Sequence, residues 1–175
     1  MTNFTDFTAR LDEFLASLGR GRPAAKPGPR NTGGSCQCWY YFAYGSNMHA
    51  GRARRRIPGA PFVGKAVLRN YAVRERLYAD IVFSLGATVE GVLFRVRPWH
   101  VVRLDFFEGA PRTYLRKMVP VTRDGRRLWC WTYMMTEATR ATREGLAYPP
   151  WYRSMCSEGA RQHGVRDDFA GGREI

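Results

Sequence analysis

Long apolar runs are missing from this chain: no stretch approaches the ~20 consecutive apolar residues that a helical membrane span needs. Histidine is scarce, with His49, His100 and His163 the only three. None stands in ligand register with a cysteine, and none forms a recognisable triad, so neither a zinc site nor His-driven nucleophilic catalysis is expected. The four cysteines, Cys36, Cys38, Cys130 and Cys156, contain no C-x-x-C pair. They read as free thiols in a reducing compartment rather than as a disulfide framework. The first residues lack the basic start and long apolar centre of a secretory signal, and Asp6, Asp12 and Glu13 speak against a mitochondrial presequence. The expectation is a cytoplasmic protein with no metal, no cofactor and no membrane partner.

Acidic residues are also in short supply: 15 against 28 basic ones, a net charge of +13. Lys26, Lys65 and Lys117 are the only lysines, so the excess is almost entirely arginine. Such a charge binds nucleic acid non-specifically at low salt. The densest cluster, however, is Arg52, Arg54, Arg55 and Arg56, and no nucleic-acid recognition motif accompanies it. Most of these arginines read as solvated surface, with a milder role in attracting an anionic substrate. No specific nucleic-acid partner is expected.

What is present is enough for one core: 175 residues, 45% of them hydrophobic. Three segments organise the chain. Phe4, Phe7, Leu11, Phe14, Leu15 and Leu18 predict an amphipathic helix within residues 1–18. Its stripe more often packs on its own domain or on a neighbouring copy, as in a homodimer, than on a membrane. Residues 19–38 are rich in Gly, Pro and Arg and read as a flexible linker. Residues 39–175 form the main domain, and cutting before Trp39 is expected to leave it folded. Within it, strands are predicted over Tyr40–Tyr44, Pro61–Leu68, Ala72–Arg76 and Ala87–Val96. Tyr114–Val121 and Leu128–Met135 flank Asp124-Gly125, a strong hairpin signal. Pro98–Phe107 and Trp151–His163 read as helices, the first entered through a proline and the second stopped at Gly164.

The most informative stretch is Tyr40-Tyr41-Phe42-Ala43-Tyr44-Gly45-Ser46-Asn47-Met48. Aromatics before Gly45 read as a buried strand, and Gly-Ser-Asn as a tight loop that aims backbone N–H groups at one point, a small anion site. A plain β-turn is the simpler reading of the loop alone. Sixty residues on, Leu104-Asp105-Phe106-Phe107-Glu108-Gly109 places a carboxylate after two aromatics and before a glycine. Taken alone, Glu108 reads as a helix-end carboxylate paired with an arginine.

Together these elements resemble the gamma-glutamylcyclotransferase (AIG2-like) family. The likeness continues through Gly91-Val92-Leu93-Phe94, Tyr114-x-Arg116, Trp131-Thr132-Tyr133-Met134 and Pro150-x-Tyr152, and covers roughly residues 39 to 169. It implies an α+β fold, a small barrel-like curved sheet with surrounding helices. It also implies a reaction in which the α-amine of a gamma-glutamyl substrate attacks its own γ-carbonyl, giving 5-oxoproline and a released amine or amino acid. Glu108 takes the position of the general base and then acid, its pKa raised by Phe106 and Phe107. The segment Tyr41, Phe42, Ala43, Tyr44, Gly45, Ser46 and Asn47 takes that of the substrate-binding loop, and Tyr133 that of a pocket hydroxyl. For Asp105, a rival base, a structural hydrogen bond is the better expectation. Tyr114 is expected to pack, and Trp151 and Tyr152 to line the outer wall. Arg69–Asp80 looks short and charged where relatives carry a longer loop, which leaves the leaving group open between amino acid, amine, glutathione and a biosynthetic intermediate. An idle binding domain with a basic surface is the alternative from another class.

Overall fold

Two hairpins supply most of the sheet, and each turns for a different reason. In the computed structural model, which describes residues 38–170, Asp124 and Gly125 both take positive φ and join β4 (Tyr114–Arg123) to β5 (Arg126–Met135). This is the two-residue turn that the Asp-Gly pair predicts. The other hairpin joins β2 (Phe62–Arg76) to β3 (Tyr78–Val96) through Leu77, a non-glycine residue at φ 61°. Its amide donates to Leu146 O at 2.9 Å, so a distant segment holds the turn. The expected strands Pro61–Leu68 and Ala72–Arg76 are therefore one strand with a register shift around Asn70, whose Oδ1 accepts from Gly86 N. Arg69–Asp80 is the tip of this hairpin rather than a loop.

A fifth strand closes the sheet. β1 (Trp39–Ala43) pairs antiparallel with β3 and parallel with β5 through Tyr41 and Trp131, giving a closed barrel in the order β1-β3-β2-β4-β5. Phe42, Leu68, Ile81, Leu93 and Val121 are fully buried in the core. Gly91 sits where β1 crosses: a Cβ there would lie 2.4 Å from Ala43 O and 2.7 Å from the Phe42 ring. The architecture is α+β, as expected. The helix expected over residues 4–18, the linker over 19–38 (save Cys38) and Cys36 lie outside the described residues. No described helix is long and apolar enough to cross a membrane.

Among the described residues four helices surround the barrel: α1 (Ala50–Arg56), α2 (Pro98–Glu108), α3 (Glu137–Arg143) and α4 (Pro150–Gln162). Proline starts α2 in its first turn and Gly109, at φ 64°, ends it in the left-handed conformation that favours glycine. His100 fixes the start of α2: Nδ1 accepts from Arg97 N at 3.0 Å, so Nε2 donates to Pro58 O at 2.9 Å. Arg103, also on α2, donates to Arg55 O and Arg56 O at the end of α1. Carbonyls that a helix end leaves unpaired are thereby satisfied by a cation from its neighbour, which locks α1 against α2.

Candidate functional site

β1 ends at Ala43, and the chain passes through Tyr44 and Gly45 into a single 3-10 turn, Ser46–Met48. Within the turn Met48 N bonds Gly45 O at 2.8 Å. The amides of Gly45, Ser46 and Asn47 precede that bond and donate to no described residue. Gly45 is at φ −128°, so no positive dihedral demands glycine. Space does: a Cβ would lie 3.2 Å from both Ala79 Cβ and the Tyr152 hydroxyl. From behind, α4 presses on the turn. Gly159 brings its backbone against Met48 and His49, and His163 Nε2 lies 3.0 Å from Met48 O.

Glu108, the last residue of α2, reaches this turn. Asn47 Nδ2 donates to Glu108 Oε1 at 2.8 Å and lies 2.7 Å from the Tyr41 hydroxyl. Arg56 Nη1, from the last turn of α1, donates to the same Oε1 at 2.6 Å and to Asn47 Oδ1 at 2.9 Å. The pair is largely enclosed, with the Arg56 and Glu108 side chains 13% and 14% exposed. Oε1 is thus fully committed, while Oε2 takes no hydrogen bond among the described residues. The ion pair that Glu108 suggests when read alone is present. The expected enclosure by two phenylalanines is not: Phe106 is 52% exposed, and the Phe107 ring stacks under the Arg56 guanidinium at 5.0 Å. Helix geometry separates successive side chains by about 100°, so neighbours in sequence do not surround the same group.

A small polar cavity of about 30 Å³ lies between the turn and Glu108, and it adjoins an outer cleft of about 320 Å³. Tyr41, Tyr44, Gly45, Ser46, Asn47 and Tyr133 line the inner cavity. Phe42 and Ala43 do not, because both are buried in the barrel, Phe42 with its ring against Gly91. Tyr114 and Tyr152 line both spaces, while Trp151 lines the outer cleft alone. Tyr114 therefore does more than pack: it faces the site while its hydroxyl donates to Ala79 O at 2.8 Å. Arg56 is a site residue that the sequence does not single out, because one arginine in a run of them carries no local signal.

The tyrosine hydroxyls are neutral donors and acceptors here. Burial, followed by the charge of Glu108, raises Tyr41 above its ordinary value of 10.0. Tyr44, Tyr114, Tyr133 and Tyr152 are raised as well, chiefly by burial. None supplies a tyrosinate base near neutral pH. Tyr133 donates its hydroxyl to Asp105 Oδ1 at 2.6 Å rather than to Glu108, and Arg116 holds Oδ2 at 3.0 Å. Asp105 thereby accepts one hydrogen bond on each oxygen, from Tyr133 and from Arg116, as a structural acceptor. Glu108 is the carboxylate that faces the inner cavity.

Residues 41–153 match the family described as gamma-glutamyl cyclotransferase, AIG2-like. The chain is 29% identical over 147 residues to the gamma-glutamylcyclotransferase of Mus musculus, covering 76% of each protein. With the gamma-glutamylcyclotransferase of Homo sapiens the identity is 28% over 148 residues, 77% of this chain and 76% of that one. A solved structure named gamma-glutamyl cyclotransferase superposes with a TM-score of 0.63 at 26% identity, over 74% of this chain and 82% of its own. YkqA from Bacillus subtilis also gives 0.63, at 31% identity, over 77% of this chain and 52% of that protein.

Proposed function

The chain belongs to the gamma-glutamyl cyclotransferase, AIG2-like family, and from that premise we propose that it cyclises a gamma-glutamyl amide to 5-oxoproline. One observation carries the reading: Glu108 and the Tyr44–Asn47 loop line one small polar cavity, with Asn47 hydrogen-bonded to the carboxylate. The glutamyl head enters the inner cavity and the departing half lies in the outer cleft. The free amides of Gly45, Ser46 and Asn47 bind the glutamyl carboxylate or the oxyanion that develops on the γ-carbonyl.

Glu108 Oε2 takes a proton from the α-amine as its nitrogen attacks the γ-carbonyl carbon, closing a five-membered ring. The same carboxyl then gives that proton to the departing nitrogen as the original amide bond breaks. Atoms balance between substrate, 5-oxoproline and released amine, and no water or covalent enzyme intermediate enters. Asn47 and Arg56 hold Oε1 so that Oε2 faces the reacting centre, a positioning role that converts bound substrate into an aligned reactant. The test is 5-oxoproline release from a panel of gamma-glutamyl amino acids, glutathione and gamma-glutamylamines, read by mass spectrometry. Release from at least one class, with an equal yield of amine, is expected. Silence across all three classes would overturn the assignment.

A further inference from the structure

The outer cleft holds more positive charge than cyclisation requires. Arg52, Arg56 and Arg143 line it, and among the residues lining it Glu108 is the sole carboxylate. Arg56 is committed to Glu108. Arg52 and Arg143 are not committed to any carboxylate among the described residues, whereas Arg116 and Arg166 each hold one and Arg76 and Arg140 each hold two. The Arg52 guanidinium makes one hydrogen bond, from Nη1 to the weak acceptor Met155 Sδ at 3.5 Å, and that of Arg143 rests over the Tyr78 ring at 5.4 Å. Arg52 Nε and Arg143 Nη1 are shielded from solvent with no hydrogen-bond partner among the described residues. Burial and then the neighbouring charge of Arg56 lower the Arg52 pKa, as expected of a cation partly desolvated beside another cation. Unmet donors and unpaired charge in a protein cleft are costly, and a ligand that brings the anion removes the cost.

On the cyclisation reading the glutamyl head occupies the inner cavity, so the missing anion belongs to the other half of the substrate. We infer that Arg52 and Arg143 are specificity-determining residues that recognise a carboxylate on the leaving group, favouring release of an amino acid over release of a neutral or cationic amine. This rests on the cyclisation reading for its orientation of the substrate. A cationic leaving amine would instead meet Arg52, Arg56 and Arg143 with only Glu108 to offset them, and like charges at such a site disfavour binding.

The test compares gamma-glutamyl-alanine with gamma-glutamyl-alaninamide, which differ only in that carboxylate, in the native protein, Arg143→Gln and Arg52→Gln/Arg143→Gln. Because α3 buries none of its residues, Arg143→Gln is expected to fold even if the double variant does not. The native protein is expected to favour the acid by about 10- to 100-fold in kcat/KM, the range that charge-assisted hydrogen bonds supply. The difference should lie mainly in KM, since the carboxylate is held alike before and during reaction. In Arg143→Gln the ratio should drop severalfold, and in the double variant it should approach one. Equal use of both substrates by the native protein, or a ratio unchanged in the variants, would overturn the inference. Calorimetry with glutaryl-alanine and glutaryl-alaninamide, which lack the α-amine and cannot cyclise, separates this inference from the catalytic one. Tighter binding of the acid that is lost in Arg143→Gln, without turnover of any substrate, would keep the anion site and remove the activity. No preference for the acid in binding or in turnover would remove the anion site.

Discussion

Gly159→Ala is a small change whose sign the structure decides. At an ordinary helix position this replacement stabilises by about 1 kcal/mol, because glycine has more backbone freedom to lose. Gly159 lies in α4 where that helix crosses the Ser46–Met48 turn. A Cβ there would stand 2.5 Å from His49 N, 2.9 Å from Met48 C and 3.0 Å from His49 Cα. All three neighbours are backbone, so no side chain can rotate away, and α4 or the turn must move. Overpacking costs about 1–3 kcal/mol, and immovable backbone neighbours place this site in the upper part of that range, about 2–3 kcal/mol. The net expectation is therefore a loss of about 1–2 kcal/mol once the propensity gain of about 1 kcal/mol is deducted. Thermal unfolding should show a midpoint lower by about 3–8 °C, with Ser154→Ala on the exposed face of the same helix close to neutral. Because the displaced turn carries Ser46 and Asn47, 5-oxoproline release should fall by about tenfold, the scale of effect that a misplaced reacting group produces. A Gly159→Ala protein as stable as its parent, or more so, would refute the claim that α4 braces the site.

Other expectations follow from the charged and buried groups. Arg56→Met leaves Glu108 enclosed without its cation and should cost about 2–3 kcal/mol, a buried-pair value reduced for partial exposure, with activity falling alongside; urea midpoints and turnover check both. Asp80→Asn weakens a fully buried carboxylate that accepts from Met135 N, Arg76 and Arg140, and a loss of about 3 kcal/mol or more in urea unfolding is expected. Stability should also decline in alkali. Burial raises Tyr41, Tyr44, Tyr114, Tyr133, Tyr148 and Tyr152 above their ordinary 10.0 and pushes Cys156 from 9.0 up to about 12. Above these ordinary values the unfolded chain has released protons that the native one keeps. The contribution is therefore complete below about pH 9 and is lost as pH rises through the folded values. Tyrosinate absorbance and urea midpoints across pH 8–12 would follow it, and native tyrosines all ionising near their ordinary value would contradict it.

Local chemistry explains which features were legible in the sequence. Asp124-Gly125 needs positive φ at both positions and states its hairpin in two letters, and Pro98 with Gly109 brackets α2 within one residue of the expected Pro98–Phe107. The Tyr41–Asn47 segment was legible as strand and loop because aromatics give way abruptly to Gly-Ser-Asn. The long β2–β3 hairpin was not, because Leu77 carries no turn signal and is held by Leu146 far along the chain. Helix α3 was invisible for a different reason: it buries no residue, so it has no apolar period, and Thr136 capping Thr139 N is its main local mark. At the site, Glu108 was visible from its motif, but its partners were not. Arg56 is identical in kind to Arg54 and Arg55, which are exposed, and only the crossing of α1 with α2 separates their roles.

The central claim is that the Glu108 carboxylate moves the proton in an intramolecular cyclisation, and Glu108→Gln tests it most directly. Glutamine keeps the shape and can still accept from Arg56 through its amide oxygen, but it cannot take a proton from the amine. On the best substrate of the panel, kcat for 5-oxoproline release should fall by about 10²-fold or more, with the thermal midpoint little changed and glutaryl-alanine still bound. A folded Glu108→Gln protein that releases 5-oxoproline at the native rate would contradict the account at its centre.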